Sequence, residues 1–103
     1  MIVYLQESTR SGKKYMVKIV GTDGSTKTVH FGAEGYSDFT KHKDVERKHR
    51  YVERHKNNEN WGKSGVKTAG FWSRWLLWNK PSMSGSIKDI EERFNVEIIK
   101  KRY

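Results

Sequence analysis

Along the first third of the chain, short apolar-rich segments recur between polar turns, and the last of them alternates apolar and polar residues with the period of two of a half-buried strand. IVYLQES (2–8), KKYMVKIV (13–20) and KTVHF (27–31) are rich in β-branched and aromatic residues, with Val29 and Phe31 on one face and Thr28 and His30 on the other. TRSGKK around Gly12 and GTDGST around Asp23-Gly24 separate the three segments. Glycine supplies the positive φ that tight hairpins need. An antiparallel three-stranded meander is therefore predicted. Gly21 and Gly24 have the GxxG spacing of the RNA-clamping loop of KH domains. That loop joins two helices; here the stretch joins two predicted strands, so a plain hairpin is expected.

Beyond residue 31 the period lengthens. FGAEGYSDFT (31–40) is a connection in which Gly32 and Gly35 end the strand, and Ser37, Asp38 or Thr40 can cap a helix predicted over 41–56. NNENWGKSGVKT (57–68) is a polar loop. A second helix, 69–78, stops before Pro81, because the residue preceding a proline is pushed out of helical angles. Ser82 or Ser84 can cap a third helix over 83–94, with Ile87, Ile90 and Phe94 on one face. VEIIKK (96–101) reads as a last strand and KRY as a basic tail. The order β-β-β-α-α-α-β predicts a single α+β domain over 1–103. The C-terminal strand rejoins the meander, and the helices cover one face of the sheet.

Composition sharpens this picture in two ways. Hydrophobic content is only 34%, yet four Trp, five Tyr and four Phe can fill a small core with few side chains. The formal net charge is +9, which favours solubility and attraction to polyanions without bearing on the fold. The absence of cysteine excludes a disulfide framework and thiolate metal sites. No apolar run approaches the roughly 18 residues needed to span a bilayer, and MIVYLQESTR lacks the pattern of a secretion signal. A soluble intracellular protein without membrane attachment is expected.

The helix predicted over 41–56 contains VERKHRYVERHK, in which Val-Glu-Arg recurs after seven residues. At 100° per residue Val45, His49 and Val52 point within about 40° of one direction, and His42 joins them as a thin inner edge. Opposite lie Lys43, Arg47, Arg50 and Arg54, a basic stripe roughly 16 Å long. Asp44 can pair with Lys48 and Glu46 with Arg50 at i,i+4, each worth about 0.3–0.5 kcal/mol. Such pairs describe an ordinary solvated helix. Lys43, Arg47 and Arg54 have no comparably placed acid, and an unneutralised stripe is what phosphate contact requires. The helix alone does not decide between the two; the charge of the whole chain tips the balance towards binding. A coiled-coil seam is not supported, since two heptads are too few and Lys48 and His55 occupy the d-like positions.

GFWSRWLLWNKP (70–81) is apolar nearly all round, which places it in the core. Trp61, in the polar loop before it, is the tryptophan with least reason to be buried, and so the candidate stacking platform for bases or anchor for a partner. Arg74 lies among aromatics and is placed to stack or pair rather than face water. His42 and His49 share a predicted face but sit two turns apart, about 10 Å, too far for one ion, and no HExxH motif is present. No metal and no cofactor are expected. Tyr36, Ser37, Asp38, His42 and Asp44 cluster near a helix start, as in a nuclease-like site, but capping explains Ser37 and Asp38 more simply. No catalytic residues are assigned.

The block FGAEGYSDFTKHKD, the ERKHRY helix, TAGFWSRWLLWNKPS and SIKDIEERF together resemble a group of small basic proteins of large DNA viruses that infect algae and amoebae. The resemblance covers about residues 13–100, and TAGFWSRWLLWNKP is its most specific part. It implies no activity and no catalytic residues. It implies a viral origin, hence an infected host cell (cytoplasm or nucleus) or a virion interior.

The expectation is thus a small basic module that binds DNA or RNA, largely through phosphates and with weak sequence preference. Lys43, Arg47, Arg50, Arg54, Lys63, Lys67, Trp61, Arg74 and the basic tail supply the candidate contacts. The alternative is a virion structural or interaction module with an acidic protein partner.

Overall fold

The N-terminal meander forms with the expected turns. Strands β1 (Ile2–Glu7), β2 (Lys13–Val20) and β3 (Thr26–Ala33) pair antiparallel, Ile2 opposite Val20 and Val20 opposite Thr26. The structure, a computed structural model, describes residues 1–100. The predicted last residue of the final strand, Lys101, and the KRY tail lie outside the described residues. Strand β4 (Glu97–Lys100) enters parallel to β1, Ile2 opposite Glu97, and the sheet order is β3-β2-β1-β4. The result is an α+β domain with a four-stranded mixed sheet.

Period-two alternation carries Val3 and Leu5, Val17 and Ile19, and Val29 and Phe31 to the helix-covered face, where each is almost fully buried. Against them pack Phe71, Trp72, Leu76, Leu77, Ile90 and Phe94. The indole N–H of the fully buried Trp72 donates to the Val66 carbonyl at 2.7 Å, which removes the cost of burying that donor.

The predicted helix over 41–56 is two helices. A single turn, α1 (Phe39–His42), is capped by Asp38, and α2 (Val45–His55) is capped by Asp44, whose carboxylate accepts the N–H groups of Glu46 and Arg47. Between them Lys43 takes the left-handed conformation, φ 58°, and its N–H closes α1 on the Phe39 carbonyl. Two N-caps six residues apart compete for one helix, and the second restarts it in a new direction.

The predicted helix over 69–78 is α-helical only as α3 (Ala69–Trp72), and then widens into a π-helical turn, Ser73–Leu77. The reason lies in the core. Phe71 with Leu76, and Trp72 with Leu77, are all buried, and each pair is spaced by five. A regular α-helix turns residues five apart away from each other; the wider turn brings them back to one side. Helix α4 (Met83–Phe94) is capped by Ser82 and buries Ile90 and Phe94, with Ile87 half-buried beside them.

Candidate functional site

Helix α2 buries no residue fully, and it meets the body of the domain along a different edge from the one predicted. Val45 is 56% exposed and His49 is exposed; Val52 faces inward as predicted, joined there by Lys48, Tyr51 and His55. The edge is set by aromatic stacking. The Tyr51 ring lies flat on Trp78, with centroids 4.5 Å apart and planes at 3°, and His55 packs on Tyr51 at 4.5 Å. A tyrosine covers far more apolar area than a valine, and the π-turn presents Trp78 to receive it. Lys48 lays its stem along this seam, its ammonium donating to the Asn79 carbonyl at 2.7 Å and lying over the Phe39 ring. Burial, then repulsion from Arg74 and Lys80, pulls the Lys48 pKa down. Burial, then the Glu59 charge, pushes the Tyr51 hydroxyl up to about 12.

On the outer face Arg47, Arg50 and Arg54 are exposed. Arg50 meets Glu46 at 3.6 Å, a solvent-exposed contact worth little. Glu53 pairs with Lys56 at 3.0 Å. The Asp44–Lys48 pair does not form, because Asp44 caps the helix and Lys48 turns inward. Arg47 and Arg54 have no acidic group within ion-pair distance among the described residues. Lys43 leaves the stripe: it precedes α2, and its ammonium bonds the carbonyls of Thr40 and Pro81 at 3.0 and 2.6 Å. Three arginines remain, spanning about 10 Å.

The other predicted contacts are dispersed. Lys63 is exposed in a 3₁₀ turn, Lys63–Gly65. Lys67 lies near Asp23 in the β2–β3 turn, where it assists the stronger effect of Ser25 hydrogen bonds in lowering that carboxyl. That turn is the far end of the hairpin from α2.

Trp61 is half-buried rather than presented. Its ring lies nearly parallel to Tyr51 at 6.4 Å, and its carbonyl accepts the Trp75 indole N–H. The Arg74 guanidinium lies 4.4 Å from the Trp75 ring and 5.4 Å from the Trp61 ring, and donates to the Trp78 carbonyl at 2.9 Å. Arg74 thus ties the aromatic seam together from inside, and burial depresses its pKa. A loop in a polar sequence context can still fold onto an aromatic neighbour; the indole finds its cover in Tyr51, which lies ten residues upstream.

Beside α2 a cleft of about 440 Å³ opens between the helix and the strand ends of the β2–β3 hairpin. Lys13, Tyr36 and Ser37 come from the hairpin side, Tyr51, Arg54 and His55 from α2, and Glu59 and Ser73 from the segments that follow. Gly32 shapes it. Its φ is +79°, and a Cβ there would lie 2.9 Å from Leu77 Cδ1 and 3.3 Å from the Lys14 Cβ. Contrary to prediction it does not end β3 but sits inside it. Lys14, across from Gly32, makes a 2.7 Å ion pair with Asp38, both side chains at least nine-tenths buried. Asp38 also accepts the Thr40 N–H and hydroxyl.

Of the polar residues considered for a nuclease-like site, Tyr36 and Ser37 line the cleft, while Asp38, His42 and Asp44 are committed elsewhere. Asp38 and Asp44 cap helices, and His42 Nδ1 accepts the Asp44 N–H at 2.9 Å. His42 and His49 fall on different helices. Among the described residues no group of three His, Asp or Glu is arranged to hold a metal ion, and no helix is long and apolar enough to cross a membrane.

The fold and surface define a small α+β domain with a mixed sheet and an arginine-faced helix on its rim. Residues 3–55 match the model of a family of unknown function, DUF5754, and the chain belongs to that family. The matched segment begins in β1 and ends on the last residue of α2, so it contains the meander, Asp38 and all three outward arginines but not the aromatic helix. No curated protein and no solved structure matches the chain.

Proposed function

We propose that this domain binds nucleic acid chiefly through its phosphates, with the outer face of α2 as the contact surface. The observation that carries the proposal is the pair Arg47 and Arg54: exposed, two turns apart on one face, and without an acidic partner among the described residues. A guanidinium left unpaired on a chain of net charge +9 is free to exchange water and counterions for phosphate oxygens. Arg50, released from its loose contact with Glu46, joins them. Phosphate contacts position the ligand without reading bases, so discrimination between sequences is weak. Lys63 and Lys67 contribute to the long-range field rather than to this contact line.

The test is a two-dimensional amide NMR titration with a short oligonucleotide at low salt. The largest shifts are expected along 47–54, with the β2–β3 turn at 21–25 unmoved. Absence of shifts with duplex and single strands of both DNA and RNA would contradict the proposal and leave an acidic protein as the partner of this face.

A further inference from the structure

We infer that the cleft beside α2 receives one unpaired nucleotide of a single strand whose backbone lies along the arginine face. This inference rests on the nucleic-acid proposal above. Arg54 connects the two surfaces, since it belongs to the outer line of α2 and also lines the cleft. Across from it, Lys13 offers a second cation from the hairpin side. A strand passing Arg54 and continuing to Lys13 crosses the cleft mouth.

Three features select a base for the interior rather than a phosphate or a duplex. The volume, about 440 Å³, lies at the size of a small-molecule pocket and admits one nucleotide but no double helix. The interior is not cationic: the Lys14 charge is already matched by Asp38 at 2.7 Å, and Glu59 lines the cleft with no ion-pair partner among the described residues. A carboxylate there repels phosphate and accepts the exocyclic amine of a base, and Ser37, Ser73 and His55 add further hydrogen-bonding groups. Finally, Tyr36 lines the same cleft at 74% exposure, the most exposed large apolar side chain among the described residues. Its backbone is held in a turn by a hydrogen bond to the Ala33 carbonyl, so the ring is displayed without being packed. An aromatic presented in this way beside cations is the equipment for stacking a splayed base. The platform that the sequence assigned to Trp61 is thus supplied by Tyr36.

The experiment measures fluorescence anisotropy of the full chain with labelled 12-nucleotide single strands and the matching duplex, using wild type, Tyr36→Ala, Tyr36→Phe and Arg47→Ala/Arg54→Ala. Tyr36 makes no core contact, so its variants fold, as a thermal melt verifies. Tyr36→Ala is expected to weaken single-strand binding by about 5- to 150-fold, leave duplex binding within about twofold, and be rescued by Tyr36→Phe. Equal effects on single strand and duplex, or no effect, would overturn the inference. If the double arginine variant still flattened the salt dependence in that case, the nucleic-acid proposal would stand without it. Absence of binding to any nucleic acid at low salt would overturn both. Competition by a free mononucleotide at micromolar concentration would overturn the strand-tethered form.

Discussion

Replacing Asp38 with alanine tests how the end of the sheet, α1 and the cleft are held together. Asp38 is 1% exposed, and its carboxylate has three donors: the Lys14 ammonium at 2.7 Å, the Thr40 N–H at 3.0 Å, and the Thr40 hydroxyl. Alanine removes the cap of α1 and leaves the ammonium of Lys14, whose side chain is only 9% exposed, without its counter-charge. Breaking a buried pair from one side costs about 3–5 kcal/mol, and the lost cap, typically about 1 kcal/mol, overlaps with that figure rather than adding to it. Total stability for a domain of this size is about 5–15 kcal/mol, so the variant sits near the edge of folding. At about 4–8 °C per kcal/mol, Tm falls by at least about 12 °C. Urea unfolding followed by tryptophan fluorescence and far-UV circular dichroism measures the loss. Lys14→Met combined with Asp38→Ala should recover about 1–3 kcal/mol, because no unpaired charge then remains. A loss below about 0.5 kcal/mol for Asp38→Ala, or no recovery in the double variant, would refute this account of the pair.

Gly32→Ala should destabilise by about 2–4 kcal/mol, combining left-handed strain with the clash against Leu77. Gly35→Ala, at φ +86° but with nothing within 4 Å of its Cβ, should cost only the strain, about 1–2 kcal/mol, and equal losses in urea melts would contradict the packing argument. Burial, then the nearby Arg47 charge, lowers the pKa of His42. The unfolded chain therefore takes up a proton there at higher pH than the folded one. Its contribution to stability is complete above about pH 6.5 and declines as pH falls from there towards the folded value. Tm should drop less steeply between pH 7 and 5.5 in His42→Asn, which keeps an acceptor for the Asp44 N–H, than in wild type; parallel slopes would exclude His42 as a contributor.

What could be foreseen followed from local signals. The strands were legible because their segments are rich in β-branched and aromatic residues and the turns between them carry Gly12 and Gly24, both at φ 85°. The free arginines were legible because an acid four residues from Arg47 or Arg54 is missing from the sequence. The inner edge of α2 was legible only at Val52, because a helical projection centres the edge on Val45 and His49 and leaves Tyr51 as a flank, while the folded domain stacks Tyr51 on Trp78, 27 residues away. The break at Lys43 was hidden because Asp44 serves equally as an i,i+4 partner or as an N-cap; an aspartate directly ahead of Val45 was the available signal for the second role. The π-turn answers the demand to bury Phe71, Trp72, Leu76 and Leu77 together, which only the sheet opposite them imposes. Tyr36 and the cleft depend on the approach of a hairpin end to a helix, a long-range arrangement with no local signature.

The central claim is that the α2 arginines meet phosphates, and a salt series tests it most directly. Log affinity for nucleic acid, plotted against log salt between 50 and 200 mM, should fall linearly for wild type. In Arg47→Ala/Arg54→Ala the slope should flatten by roughly 1.4 on single strands and roughly 1.8 on duplex, two contacts' worth in each case. An unchanged slope in the double variant, or no measurable binding at 50 mM salt, would contradict it.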